Sequence, residues 1–197
     1  GREAVTVTAR PRVGVISTGD ELVAPGAPLD HTAGEIYDVN GYALAAGIDA
    51  AGGIPVRYDP VPDEVEAMRD VLERAAAECD LVLTSGSTSA SAVDVIYDVI
   101  ESRGDLLAHG VAVKPGKPMI IGRLQDGAAY VGLPGYPVSA QMVFRRFVAP
   151  RIRAAAGLSP ASNPTIRARM TREARFEEGR MRLLPVGLRD AAGEHMD

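Results

Sequence analysis

Three short apolar runs, each followed by small or polar residues and then by a stretch of helical periodicity, constrain what this 197-residue chain can fold into more than any other feature. Arg12–Ile16 (R-V-G-V-I) and Leu81–Thr84 are β-branched and apolar without alternation, and Ile54–Tyr58 reads as the strand between them. Unbroken apolar character marks strands covered on both faces, the habit of parallel sheets. Three helices are predicted among these strands. The first is capped by Asn40, runs to about Ala51 and is closed by Gly52-Gly53. The second opens with an Asp63/Glu66 capping box and carries Val65, Met68, Val71, Leu72 and Ala75 at helical spacing. Val93, Ile96, Tyr97 and Ile100 mark one face of the third, which ends near Gly104.

After residue 104 the pattern turns extended: Leu106–Val113, Met119–Leu124, a turn at Gln125-Asp126-Gly127, and Ala128–Leu133. Asp-Gly between two apolar runs predicts a hairpin. A last helix is expected over Val138–Ala156, stopped by Gly157, and Ser159–Pro164 reads as a linker. The fold expected is an α/β three-layer sandwich around a mostly parallel sheet. It occupies residues 1–158, and residues 159–197 form a linker and a truncated β segment. Gly1–Arg10 is expected to be an edge strand or a linker, and a first residue that is not Met suggests a piece of a longer protein.

Open α/β sheets place ligands at the carboxyl ends of their strands. That edge would gather Ser17–Leu22 (S-T-G-D-E-L), the small-residue loop Ser85–Ser91, the lysine turn Lys114–Pro118 (K-P-G-K-P) and the turn Val131–Ala140 (V-G-L-P-G-Y-P-V-S-A). The irregular stretch Val23–Val39 is long enough to be functional. Backbone amides in small-residue turns and two lysines held close by prolines suit an anion, whereas a plain connector and a solvated turn are the ordinary readings of each taken alone. Carboxylates such as Asp20, Glu21, Asp38 and Asp94 on the same edge would repel that anion without a hard cation between them, which suggests Mg²⁺ or another divalent ion.

Composition closes off other classes. A net charge of −5 with no basic stripe argues against a nucleic-acid binder. No apolar run approaches the ~18 residues of a membrane span. The single cysteine, Cys79, cannot form an internal disulfide; it reads as a buried structural thiol and suits a cytoplasmic protein.

The four motifs Ser17–Leu22, Gly34–Asn40 (G-E-I-Y-D-V-N), Lys114–Pro118 and Gly132–Ser139 resemble, in order and spacing, those of the MoeA/gephyrin family of molybdopterin molybdenumtransferases. The resemblance covers about Arg12–Gly157. It implies a MogA-like domain that binds adenylylated molybdopterin and inserts molybdate with release of AMP, assisted by a divalent metal. It further implies catalytic or metal-facing roles for Asp20, Glu21 and Asp94, catalytic lysines at 114 and 117, and substrate contacts from Thr18, Gly19, Asp38, Asn40, Asp63, Ser85, Gly86, Ser87, Ser89, Gly116, Pro134, Gly135, Tyr136 and Ser139. The chain departs from the family pattern where two glycines are missing from Gly86–Ser91 and where Tyr136 replaces an asparagine. The resemblance begins at about Arg12, so the family's N-terminal domains, which help complete its site across a dimer, are expected to lie outside this stretch. A homodimer and contact with a molybdopterin adenylyltransferase are the implied associations. The competing expectations are an adenylyltransferase using ATP and a non-catalytic scaffold.

Overall fold

The computed structural model describes residues 3–86, 96–100, 104–124, 127–162, 164–174 and 178–189. Its centre is a six-stranded sheet built from β1 (Arg12–Ser17), β4 (Ile54–Arg57), β5 (Leu81–Ser85), β6 (Gly104–His109), β8 (Ile120–Leu124) and β9 (Ala129–Leu133), in the order β4-β1-β5-β9-β8-β6. The first four positions are parallel; β8 runs antiparallel to both β9 and β6. The expected mixed, mostly parallel sheet is therefore present, with a hairpin added at one side. Two minor ladders stand apart: β2 (Leu22–Val23) pairs with β3 (Ile36–Tyr37), and β7 (Val113–Lys114) pairs with β10 (Met181–Arg182).

Side chains alternate across the strands and so build two cores. Val13, Val15, Leu83, Val131 and Leu133 meet α1 (Asn40–Ala50) and the C-terminal helical segments α4 (Pro137–Val143) and α5 (Ala149–Ala155), through Leu44, Ile48, Val143 and Ile152. Ile16, Val82, Ile120 and Tyr130 face the other way, toward α2 (Val65–Glu78) and the helical residues 96–100, α3. Helices thus cover both faces of the sheet, giving the three layers expected.

Local expectations fail where a distant partner competes. The Asp63/Glu66 capping box does not form: α2 opens at Val65 with Glu64 in extended backbone and no side-chain cap. The amide of Asp63 instead donates to Asp20 Oδ1 at 3.0 Å, and Glu66 pairs with Arg69 at 2.7 Å. Asn40 does not cap α1 either; Asp38 receives the Gly41 amide at 2.9 Å. The extended run Leu106–Val113 is split into β6 and β7, with a ladder irregularity between Leu106 and Ala108.

The last helix is not one continuous α-helix. A π-helical turn, Phe144–Val148, separates α4 from α5, and the Ala149 amide reaches back to the Phe144 carbonyl. Pro150 accounts for it, since its ring crowds the carbonyl four residues earlier and it has no N–H to donate there, so the backbone widens to accommodate it. Gly157, at φ +70°, ends the segment as expected.

Outside this body the chain is mostly exposed. Residues 3–10 form no strand and are held by Arg10, whose guanidinium donates to the Gly52 carbonyl at 3.0 Å. Residues 164–174 and 178–189 contribute one two-residue strand, β10, and otherwise no regular structure.

Gly47 on α1 packs directly against Phe144: a Cβ there would lie 2.6 Å from Phe144 Cε1. Gly47→Ala is expected to destabilise the fold by about 1–3 kcal/mol through overpacking, although alanine is the better helix former. Urea denaturation checks this, and the Gly47→Ala/Phe144→Leu pair is expected to lose less than the sum of the single variants.

Candidate active site at the carboxyl edge of the sheet

β1, β5 and β9 are neighbours in the sheet, so the loops that follow Ser17, Ser85 and Leu133 leave it side by side. The loop after β1 is pinned on two sides. Its Thr18 amide donates to the Ser85 carbonyl at 2.9 Å, and the Gly19 amide donates to the Val61 carbonyl at 3.1 Å. The Val61–Asp63 segment is thereby drawn against the acidic pair, with Asp63 held by Asp20. Asp20 and Glu21 are themselves exposed.

The loop after β5 begins at Gly86, whose φ of +110° no ordinary side chain adopts at low cost. A Cβ there would fall 2.1 Å from the Thr18 carbonyl oxygen, and one on Gly135 would fall 3.2 Å from Gly86 Cα. The small-residue loop and the Pro-Gly-Tyr-Pro turn therefore touch through their backbones, as glycine permits. Ser87, Ser89, Ser91 and Asp94 lie outside the described residues.

Asp38 is 2% exposed and accepts from the Ser17 hydroxyl at 2.8 Å. Asn40 Nδ2 donates to Ser85 Oγ at 2.8 Å and to the Gly135 carbonyl at 2.7 Å. Tyr136 projects outward, 82% exposed, at the residue preceding α4, and Ser139 is half-buried two residues inside that helix. The lysine turn reaches the same layer by a separate support. Gly116, at φ +113°, sits so close to α4 that a Cβ would be 2.1 Å from Val143 Cγ2. Lys114 and Lys117 are exposed on either side of it, and the Lys114–Pro115 peptide is cis.

Among the described residues, four buried side-chain polar atoms have no hydrogen-bond partner, and three belong to this edge: Thr18 Oγ1, Asn40 Oδ1 and Asp63 Oδ1. Each such atom costs on the order of 1–3 kcal/mol, so their concentration here points to a polar ligand or to ordered water. Burial pushes the Asp63 carboxyl above its usual range, and the charges of Asp20 and Glu21 push it further. No group of three or more His, Cys, Asp or Glu among the described residues is arranged to hold a metal ion.

Residues 14–154 match the protein family described as Probable molybdopterin binding domain. The chain belongs to the molybdopterin-binding domain family. Molybdopterin molybdenumtransferase 2 of Mycobacterium tuberculosis is 40% identical over 173 residues, covering 83% of this chain and 41% of that protein. Among solved structures, the molybdopterin biosynthesis MoeA protein of Pyrococcus horikosii superposes with a TM-score of 0.68 at 40% identity, over 75% of this chain and 36% of that one. The tungsten cofactor synthesizing protein MoaB of Pyrococcus furiosus, 20% identical with a TM-score of 0.51 over 78% and 99% of the two chains, shares the fold. This chain spans about two fifths of the length of the first two proteins.

The molybdopterin-binding family and its fold are thus as the four motifs implied. No helix among the described residues is long and apolar enough to cross a membrane. Cys79 is buried, as expected, and that burial raises the pKa of its thiol. Sequence reading missed Ser17, Gly41 and Val61. An aspartate three residues before a helical amide is cap spacing, so the Asp38–Gly41 contact was open to discovery; Val61 was not, because its role depends on a parallel bridge to Thr18.

The Asp63 shift has a definite sign. The folded state holds that proton to higher pH than the unfolded chain does, so Asp63 lowers stability as pH rises through and above the ordinary aspartate range. Asp63→Asn is therefore expected to raise Tm at pH 7, and the gain should shrink to nothing below about pH 3.9, where the unfolded carboxyl is also protonated. Thermal unfolding of both proteins across that range measures it.

Proposed function

We propose that this chain is the substrate-binding core of a molybdopterin molybdenumtransferase, which inserts molybdate into the dithiolene of adenylylated molybdopterin and releases AMP. The observation that carries the reading is the joined edge of Thr18, Gly86 and Gly135, where backbones approach closely and three buried polar atoms, Thr18 Oγ1, Asn40 Oδ1 and Asp63 Oδ1, have no partner in the protein. The reaction class is that of the relatives, among them a molybdopterin molybdenumtransferase.

In this reading the turns at Gly86 and Pro134–Tyr136 present amides to the phosphate groups. Thr18, Gly19, Ser85 and Ser139 complete the polar lining, and the family motif assigns Ser87 and Ser89 to substrate contacts as well. Lys114 and Lys117, on the two sides of Gly116, balance the charge of the phosphates and molybdate. Asp20 and Glu21 border the reacting end together with Asp63, and the family motif assigns Asp94 the same role.

A divalent cation fits the acids in a particular way. Their oxygen donors are hard, and the Asp63 carboxyl, raised first by burial and then by the charges of Asp20 and Glu21, lies among like charges that a cation would offset. No described group of three such residues is arranged to hold a metal ion, so the cation would depend on one or two carboxylates together with substrate phosphates, as Mg²⁺ commonly does. Asp20, Glu21 and Asp94 would hold it, and when bound it would supply charge neutralisation at the phosphate and molybdate oxygens.

We keep the division into residues 1–158 and 159–197, a reading supported by the exposed, largely irregular course of residues 164–174 and 178–189. A homodimer, a cytoplasmic location and contact with a molybdopterin adenylyltransferase complete the proposal, as the family resemblance implies.

Calorimetry with adenylylated molybdopterin is expected to show binding that strengthens when Mg²⁺ is added. Lys117→Ala should weaken it about 10-fold to 100-fold, the loss of one charge-assisted contact. Asp20→Asn should abolish most of the Mg²⁺ enhancement while leaving metal-free binding in place. AMP release is expected with adenylylated molybdopterin and molybdate; turnover only with ATP and molybdopterin would make the chain an adenylyltransferase, and no binding at all would favour a scaffold.

A further inference from the structure

Three strand ends, β1, β5 and β9, are joined by polar side chains from one short stretch at the start of α1. Asp38 Oδ1 takes the Ser17 hydroxyl at 2.8 Å, at the last residue of β1. The same oxygen takes the Gly41 amide at 2.9 Å, which ties the acid to its own helix. Asn40 then spends both hydrogens of its amide: one goes to Ser85 Oγ, at the end of β5, and the other to the Gly135 carbonyl, in the turn after β9. With its lone pair occupied by Asn40, the Ser85 hydroxyl directs its own proton toward the Pro134 carbonyl, at a longer 3.4 Å. Ser85 is 1% exposed and its carbonyl holds the Thr18 amide, so the three loops share one buried polar junction.

The identity of each group is dictated by its partners. A carboxylate at 40 would match the shape of asparagine but set two oxygens 2.7 Å apart at Gly135, one of them charged. A Cβ on Gly41 would stand 2.3 Å from Asp38 Oδ2, so the residue after Asn40 must be small for the acid to fit. From this geometry we infer that Asp38 and Asn40 are positioning residues: they form a clamp across the ends of β1, β5 and β9 that sets the distance between the loop at Thr18–Glu21 and the turn at Pro134–Tyr136. Asn40 acts through Ser85 and Gly135 rather than on the reacting atoms.

The inference rests on the proposed function only for what the positioned loops hold; the clamp itself is a property of the ligand-free chain. The test therefore has two separate readouts. Amide hydrogen exchange of Gly86 and Gly135, followed by NMR in the free protein, is expected to quicken at least 10-fold in Asn40→Asp and Asn40→Ala, and to remain unchanged in Lys117→Ala. Unchanged exchange in both Asn40 variants, with the fold intact by its other amides, would overturn the clamp.

The second readout is calorimetric affinity for adenylylated molybdopterin at a temperature where every variant is folded. Asn40→Asp is expected to lose at least 10-fold, and Ser85→Ala combined with Asn40→Ala should lose no more than the larger single effect, because both cut one chain of contacts. Quickened exchange with full affinity would make the clamp merely structural and sink the positioning role. Quickened exchange in a protein whose wild type binds no adenylylated molybdopterin would overturn the proposed function and leave the clamp standing. Where Asn40→Asp unfolds, Asn40→Ser provides the same comparison at lower cost, since it removes the amide without adding a charge.

Discussion

The register of three parallel strands is the constraint from which the site follows. Ser17 of β1 lies opposite Ser85 of β5, and Ser85 lies opposite Leu133 of β9, so three strands finish at one level. Parallel ladders impose this, because each strand must return to the same side of the sheet before the next can begin, and the crossover helices fill the two faces. A slip of one residue in β5 would exchange Val82 and Leu83 between the two cores. It would also carry Ser85 away from Asn40. Core packing therefore fixes the polar edge at a distance, with apolar burial holding hydroxyls and amides in line.

At that edge the backbone itself is crowded. Thr18, Gly86 and Gly135 approach so closely that side chains on either glycine would meet neighbouring backbone. Only residues without a side chain permit such close approach of one backbone to another. The cost is a set of buried polar atoms with no partner in the protein and an aspartate held against two other acids. Such strain at a site is affordable only because the surrounding sheet is secure.

Much of this architecture was legible in the chain. Apolar runs gave strands to within a residue or two at β1, β4, β5, β8 and β9; at β1, β5 and β9 the reason is burial on both faces, which leaves a short unbroken signal. Helix interiors followed from periodicity, whereas helix beginnings did not. Asp63 and Glu66 have capping-box spacing, and Asn40 is a good cap residue, yet the Asp63 amide and the Asn40 side chain found partners far along the sequence and Glu66 turned to Arg69 instead. Local rules describe what a residue can do when left alone, and at this edge none of them is alone. The π-turn at Phe144–Val148 belongs to the same lesson in a milder form: Pro150 announces a disturbance, but a broken helix and a widened one satisfy it equally until packing against α1 decides.

What the sequence by itself determined was the alternation of strands and helices, the two-faced burial of the sheet, and the four motifs that mark the family. These are encoded in neighbouring residues, through periodicity, turn chemistry and short patterns. Only the tertiary structure decided that Asn40 spans Ser85 and Gly135 and that Val61 braces Thr18. It also decided that Lys114 and Lys117 ride on α4 through Gly116. The reason is geometric: these contacts join residues up to 95 positions apart, and their distances exist only once the sheet has brought the strand ends together.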